Sequence, residues 1–202
     1  MIYQASLTMI HENKTGRMKS LCLILGLSLF LPVYTYSQLQ TATIFNNGMI
    51  LQRDRSIPVW GAATPEDTVV VTLETSVDTA IVDGDGNWEV SLDPMTAGGP
   101  FEMVITNGEQ TFTRSNVYIG DVYMASGQSN MEMVLNQVDG GPAEAASADY
   151  PAIRQFKVPK TIETEPVGSM PLSSSWTPAT QDYAGNFSAL AYYFARDLQE
   201  EI

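Results

Sequence analysis

One serine stands where a nucleophile could be displayed, in the stretch VYMASGQSNMEM at residues 122–133. An apolar segment, 122–125, leads into Gly127 and then into Ser129. A serine hydroxyl becomes an effective nucleophile only when a base removes its proton and donors stabilise the oxyanion that forms. A turn between a strand and a helix exposes the hydroxyl and directs backbone N–H groups towards developing negative charge. Ser129 is therefore a candidate nucleophile.

The same residues also suit a purely structural role. Serine and asparagine are favoured helix N-caps, so Ser129 or Asn130 could serve only to satisfy backbone donors. Gly127 permits a tight bend in either case. The stretch differs from the Gly-x-Ser-x-Gly elbow because Met131 stands in place of the final glycine. Spacing alone leaves catalysis and capping both open.

A base for Ser129 is hard to find in the sequence. The only histidine is His11, and it lies upstream of the folded part that we predict. Asp121 lies in the strand that leads to Ser129, too close in sequence to be assigned a catalytic role. Glu132, one turn into the predicted helix, is interpreted as a solvated or capping carboxylate.

The segments before Ser129 predict an antiparallel β-sandwich over 38–116. β-branched and aromatic residues alternate with polar ones in short runs bounded by Gly, Pro, Asn and Asp turns. The predicted strands are 57–60, 68–73, 78–82, 87–92, 101–105 and 111–113. The acidic turn at 83–87 is predicted as a hairpin turn and not a calcium loop, because Trp88 occupies the position where such a loop needs glycine.

After residue 116 the pattern changes. Consecutive apolar residues at 116–120 and 122–125 indicate a strand buried on both faces, as in a parallel α/β sheet. A helix is predicted over 131–138, with Met131, Val134, Leu135 and Val138 on one face. A second helix is predicted to begin at the N-cap Asn186 and to bury Phe187, Leu190, Ala191, Phe194 and Leu198. Residues 169–182 are predicted as a loop. We expect 117–202 to be the incomplete, N-terminal part of an α/β domain.

Composition limits the function further. The formal net charge of −13 argues against nucleic-acid binding, because an acidic chain repels the phosphate backbone. Residues 18–37 carry Lys19 followed by an apolar run ending in small residues, which predicts a signal peptide and an exported protein, periplasmic or extracellular. A membrane anchor is the alternative interpretation. Residues 1–17 are interpreted as an overextended start, and the single cysteine, Cys22, falls inside the predicted signal.

The stretch GQSNM at 127–131 resembles the first block of the SGNH (GDSL-like) hydrolases, in their sialate O-acetylesterase and carbohydrate esterase branch. Further stretches resemble that branch in the same order: Phe45, NGMILQR at 47–53, PVWG at 58–61, DGNW at 85–88, AGGP at 97–100, GDVY at 120–123, IRQF at 153–156 and FSALAY at 187–192. The resemblance implies a three-layer α/β/α hydrolase domain acting on acetylated carbohydrate, without metal or organic cofactor.

The resemblance also assigns residues. It implies that Ser129 is the nucleophile, that its N–H is one oxyanion donor, and that Gly127, Gln128 and Asn130 support the nucleophile turn. The family's other oxyanion donors and its Asp and His come from later blocks, which have no counterpart in these 202 residues. The chain on its own is therefore predicted to be inactive. The alternative from another class is a non-catalytic carbohydrate-binding or scaffolding module that uses Trp60 and Trp88, both of which also suit a packed core.

Overall fold

The structure is a computed structural model that describes residues 38–160 and 174–201. The predicted signal at 18–37 and the segment 1–17 lie outside these residues. The described part of the chain forms a sheet-rich α/β structure with few helices. Its strands are β1 (Gln40–Thr41), β2 (Ile50–Gln52), β3 (Ile57–Ala62), β4 (Thr68–Leu73), β5 (Ser76–Ile81), β6 (Asn87–Leu92), β7 (Gly98–Thr106), β8 (Thr111–Gly120), β9 (Asp149–Phe156) and β10 (Trp176–Thr180). Its α-helices are α1 (Ser129–Glu132), α2 (Gly141–Ser147) and α3 (Ala189–Glu201), with 3-10 turns at Leu135–Gln137 and Ala184–Asn186.

Two sheets share the first hydrophobic core. One has five strands in the order β2-β8-β7-β4-β5, and the other has three in the order β1-β3-β6. Alternate residues of each strand point inwards, as expected for strands with one solvated face. Val69, Val71 and Leu73 of β4 are fully buried and belong to the same cluster as Trp88 and Leu92 of β6. The alternation in the sequence therefore located these strands correctly.

The predicted antiparallel arrangement is wrong at one edge of the larger sheet, where a strand that was not predicted is added. β2 pairs with β8 in parallel, with Ile50 opposite Tyr118 and Gln52 opposite Gly120. Parallel partners need a long connection, and here every strand from β3 to β7 intervenes. The acidic turn at 83–87 is also not a hairpin turn, because β5 and β6 belong to different sheets. Asp83 holds this turn by accepting the N–H groups of Asn87 at 2.8 Å and Asp85 at 3.0 Å, and the first of these bonds is the main cause that lowers the pKa of Asp83.

A second, smaller core lies under the hairpin of β9 and β10 and the helices α2 and α3. Its members are Leu135, Ala145, Ala148, Ile153, Ala179, Ala184, Phe187, Ala189 and Tyr192. Tyr192 is fully buried, and its hydroxyl donates to Glu144 Oε1 at 2.8 Å. Arg196 donates to the same carboxylate oxygen at 3.0 Å. Burial, followed by the bond to Glu144, raises the pKa of Tyr192 well above its usual range, so the phenol stays protonated in the folded protein.

The predicted buried strand at 122–125 does not form. Residues 121–128 have no regular secondary structure, and Met124 is 94% exposed. Residues 116–120 are the end of β8 and are buried on one face only, through Val117 and Ile119. The reason is that none of the described strands lies beside 122–125 to accept its backbone hydrogen bonds.

Both predicted helices differ from the observed ones. The region 131–138 is broken into α1 and a 3-10 turn, because Met133 and Val134 leave helical geometry and Val134 forms a bridge to Ser188. The last helix begins at Ala189, and Ser188 Oγ, in place of Asn186, accepts the N–H of Ala191 at 3.4 Å. The helix buries Ala189 and Tyr192, whereas Leu190 and Phe194 are about half exposed.

Side-chain contacts join the hairpin of β9 and β10 to residues around the first core. Arg154 Nη1 donates to the carbonyl oxygens of Gly48 at 2.7 Å and Asn116 at 3.0 Å, and its guanidinium lies 4.4 Å from the centre of the Tyr118 ring. Trp176 Nε1 donates to Ile44 O at 2.8 Å. Asn46 Nδ2 donates to Ser174 O at 3.2 Å. β8 itself runs across the predicted domain boundary at 116/117.

A single close approach between β1 and β3 yields a stability prediction. A Cβ at Gly61 would overlap Gln40 O and would lie 2.8 Å from the Trp88 ring. Gly61→Ala is expected to lower the free energy of unfolding by about 1–3 kcal/mol, since the strands must separate to admit the methyl group. Gly84→Ala is the matched control, because nothing lies within 4 Å of its Cβ, and we expect a change below about 0.5 kcal/mol. Urea unfolding measures both, and equal stabilities of the two variants would contradict this packing.

Candidate active site

Ser129 is the first residue of α1, the helix of four residues at 129–132. Gln128 occupies the N-cap position, and no side chain caps the helix. Ser129 and Asn130 are both exposed, and neither side chain forms a hydrogen bond within residues 38–160 and 174–201. The capping role that the sequence left open for these two residues is therefore not observed. Ser129 presents an exposed hydroxyl at the beginning of the helix, without a hydrogen-bond partner among the described residues.

The turn before Ser129 is closely packed against its own helix. A Cβ at Gly127 would lie 3.2 Å from Met131 Cβ, tighter than most such contacts in proteins. The backbone closes through Gln128 O, which accepts the N–H of Met131 at 2.9 Å and that of Glu132 at 3.2 Å. The N–H groups of Ser129 and Asn130 precede these bonds and have no backbone partner in the described part of the chain. Two donors are thus available beside the hydroxyl.

Two open cavities meet at this turn. Gln128, Ser129 and Asn130 line one of about 340 Å³. Asn130 also lines the second, of about 420 Å³, whose other walls are Met133, Val138, Asp139, Ala189, Leu190 and Tyr193. The second cavity is mainly apolar, with one carboxylate and one phenol among its side chains. Asp139 and Tyr193 were not among the predicted site residues, and no motif in the sequence pointed to them.

The carboxylates closest to Ser129 in sequence are both paired with cations. Asp121 accepts a hydrogen bond from Arg53 Nε at 3.0 Å, and Glu132 forms an ion pair with Lys160. Glu132 is about half exposed, in keeping with the solvated carboxylate that the sequence predicts. The described residues contain no histidine. They therefore bring no histidine base to Ser129, and these two carboxylates are already engaged.

The segment after Ser129 is held by the beginning of α3. Met133 O accepts the N–H of Ala189 at 2.9 Å, and Leu135 N donates to Phe187 O at 2.9 Å. Ser188 Oγ lies 3.2 Å from Met131 Sδ. These contacts bring the stretch at 187–192, which resembles the family, against the stretch that carries Ser129. Sequence reasoning missed this contact because more than 50 residues separate its two sides.

The two tryptophans proposed for sugar binding differ in their surroundings. Trp88 is 3% exposed and belongs to the first core, so it cannot stack on a sugar. Trp60 is 39% exposed, and its ring meets Phe45 edge-on at 4.6 Å between ring centres. The core-packing interpretation of Trp88 is therefore correct, and of the two tryptophans Trp60 is the one exposed enough to contact a sugar.

Comparisons with known proteins point to one group of enzymes. No family model matches the chain. The chain is 35% identical over 179 residues to the sialate O-acetylesterase of Mus musculus and 32% identical over 182 residues to that of Homo sapiens. Each match covers 80% of this chain and 33% or 34% of the relative. The chain therefore spans about a third of the length of these relatives.

A solved structure agrees with the sequence matches. A carbohydrate acetylesterase from Xanthomonas citri superposes with a TM-score of 0.78 at 34% sequence identity. The superposition covers 80% of this chain and 37% of the other. The fold of the described residues is therefore similar to part of a carbohydrate acetylesterase.

Proposed function

We propose, from the similarity of the chain to the sialate O-acetylesterases, that it is part of an esterase that removes O-acetyl groups from carbohydrate with Ser129 as nucleophile. The observation that carries the proposal is the position of Ser129. Its hydroxyl is exposed at the beginning of α1 and caps no backbone group of the described residues. It lies beside two backbone N–H groups that have no backbone partner in that part of the chain. Gly127, Gln128 and Asn130 form the turn that presents it.

The proposed reaction has two halves. Ser129 Oγ loses its proton to a base and attacks the acetyl carbonyl carbon, and the tetrahedral oxyanion accepts hydrogen bonds from the N–H of Ser129 and from further donors. The ester C–O bond then breaks, the sugar oxygen takes up the proton, and Ser129 is left acetylated. Water, deprotonated by the same base, attacks this ester. The bond between the acetyl carbon and Ser129 Oγ breaks, Oγ takes the proton back from the base, and acetate is released. The base and its carboxylate partner are proposed to come from polypeptide beyond the described residues.

The larger architecture belongs to the same proposal. The two sheets that share the first core would be the predicted β-sandwich, at 38–116, and α1 to α3 with β9 and β10 would be the beginning of a three-layer hydrolase domain. The apolar side chains of Tyr123, Met133, Leu190 and Phe194 are at least 41% exposed, as expected for surfaces on which further layers pack. The described residues contain no helix long and apolar enough to span a membrane. Export by the predicted signal remains a proposal.

The chain alone and a chimera test this function together. In the chimera, the matched part of this chain replaces its counterpart in the Xanthomonas citri acetylesterase. We expect the chain alone to hydrolyse p-nitrophenyl acetate no faster than its Ser129→Ala variant, because residues 38–160 and 174–201 contain no histidine that could act as the base. We expect the chimera to release acetate from an O-acetylated sugar, and a comparison of O-acetylated sialic acid with acetylated xylan identifies the substrate class.

Two results would contradict the proposal. Turnover by the chain alone that disappears in Ser129→Ala would mean that a base lies within these residues. A chimera that folds, as judged by circular dichroism and a cooperative melt, but releases no acetate from either substrate would argue against esterase function for this chain.

A further inference from the structure

Two adjacent residues at the end of β2 hold the chain at the point where it leaves β8. Gln52 faces Gly120 in the last pair of the parallel register. The N–H of Arg53 then donates to Gly120 O at 2.9 Å, one residue beyond β2. The backbone contact between the strands ends at this bond. The chain continues from Asp121 towards Ser129 outside any sheet.

The side chains of the same two residues extend the contact. Gln52 Oε1 accepts the N–H of Val122 at 2.9 Å, and Arg53 Nε donates to Asp121 Oδ1 at 3.0 Å. Gln52 Nε2 also donates to Arg53 O at 3.3 Å, which turns the amide so that its oxygen faces Val122. Gln52, the last residue of β2, and Arg53, which follows it, thus bind three successive residues: Gly120, Asp121 and Val122.

The Arg53 guanidinium bonds to Asp121 and not to the neighbouring carboxylate of Asp54. Arg53 Nε lies 3.7 Å from Asp54 Oδ2, which is beyond hydrogen-bond distance, and the Asp54 side chain is 63% exposed. The Asp121 side chain is 25% exposed, so its pairing with Arg53 is less screened by solvent. This gives Asp121 a partner and a role that its position in the sequence did not suggest.

The path between this contact and Ser129 has few other supports. From Tyr123 to Gly127 the backbone forms no backbone hydrogen bond within the described part of the chain. The Tyr123 ring contacts Phe194 edge-on at 5.2 Å between ring centres. Ser129 is therefore held from two ends: by Gln52 and Arg53 upstream, and by the contacts of 187–189 with 131–135 downstream.

We propose that Gln52 and Arg53 are positioning residues that fix the direction in which the chain leaves β8 and thereby hold Ser129 in place. The proposal rests on the proposed role of Ser129 as nucleophile. The chemistry suits the task, because a glutamine amide and a guanidinium offer directional bonds that a single apolar contact does not. It also explains why the stretches 47–53 and 120–123, both of which resemble the family, meet in the structure.

NMR of the ¹⁵N-labelled full chain tests the contact itself. In Gln52→Ala, exchange of the Val122 amide should accelerate about tenfold, because its acceptor is removed. In Arg53→Gln, backbone order parameters at 122–127 should fall from about 0.85 to below about 0.6. Arg53→Lys should restore part of the order by keeping the charge beside Asp121. Arg55→Gln is the matched control, since Arg55 is exposed, forms no hydrogen bond or ion pair in the described part of the chain and carries the same charge.

A loss of order confined to 122–127 distinguishes a positioning role from a general role in stability. Amides of β4 and β7 should be unchanged in every variant. The proposal would be overturned if the order parameters at 122–127 did not change, or if the order parameters at 122–127 and in β4 fell equally. In the chimera, Arg53→Gln should lower kcat about tenfold with little change in KM, and an unchanged kcat would equally overturn it. If the unsubstituted chimera is inactive, the proposed function fails, and the NMR result alone decides whether the contact holds the chain.

Discussion

Ser129→Ala is expected to abolish ester hydrolysis by the chimera, lowering kcat/KM by about 10³-fold or more. Without Oγ there is no atom to form the acetyl-enzyme, and only binding and oxyanion donors remain to accelerate attack by water. The substitution removes an exposed hydroxyl that makes no hydrogen bond in the described residues. It should therefore leave the melting temperature of the chimera unchanged.

Ser126→Ala is the matched control for this loss. Ser126 is also exposed and lies in the same bend, three residues upstream. Its substitution should leave kcat/KM within about twofold of the unsubstituted chimera, since removing an exposed hydroxyl that touches no reacting atom costs little. Equal losses in both variants would show that the bend tolerates no change and would leave Ser129 without a distinct role. Full activity in Ser129→Ala would exclude it as nucleophile.

Tyr192→Ala is expected to destabilise the second core by about 3–5 kcal/mol. Tyr192 is fully buried, contacts the rings of Tyr150, Phe187 and Tyr193, and bonds to Glu144. Its removal leaves a cavity in the second core and takes away one of the two donors to Glu144 Oε1, the other being Arg196. Because the first core has its own members, we expect α2, α3 and the hairpin of β9 and β10 to unfold at lower urea concentration than β4 and β7.

Residue-resolved exchange and urea unfolding check this second prediction. Tyr183→Ala serves as the control, because Tyr183 is 47% exposed and belongs to neither core, and it should cost less than about 0.5 kcal/mol. Tyr192→Phe separates the hydroxyl from the ring and should cost about 1–2 kcal/mol through the lost bond to Glu144. A Tyr192→Ala variant as stable as Tyr183→Ala would contradict the second core.

The strands of the first core could be predicted from sequence because each carries its own signal. Alternation in β4 and β6 assigns Val69, Val71, Val90 and Leu92 to the interior without knowledge of the partner strand. Partner identity has no such local signal. The parallel pairing of β2 with β8 and the division of β5 and β6 between two sheets depend on contacts distant in sequence, and both predictions failed there.

The second half of the chain was predicted less well for a related reason. Consecutive apolar residues at 122–125 indicate burial, but burial needs a neighbouring layer, and Met124 is 94% exposed. The apolar face of the last helix was assigned to Phe187, Leu190, Ala191, Phe194 and Leu198. Phe187 is buried just before α3, but Leu190 and Phe194 are about half exposed, and the helix itself buries Ala189 and Tyr192. The apolar pattern therefore identified side chains that are suited to burial. It did not identify which of them are buried by other described residues.

The candidate site divides in the same way. Ser129 and its turn could be predicted because the motif is contiguous. The contacts of Gln52 with Val122 and of Arg53 with Asp121 join residues 70 and 68 positions apart. No local sequence pattern predicts contacts over such separations. Asp139 and Tyr193 became visible only as walls of a cavity that reaches Asn130.

Trapping of the acetyl-enzyme tests the central claim, that Ser129 is the nucleophile, most directly. The chimera is mixed with p-nitrophenyl acetate, quenched with acid within the first turnover, digested and analysed by tandem mass spectrometry. The proposed mechanism predicts one acetyl group on Ser129, present during turnover, lost on further incubation and missing in Ser129→Ala. Acetate release with the acetyl group on another residue, or with no acetylated peptide at any time of quenching, would contradict it.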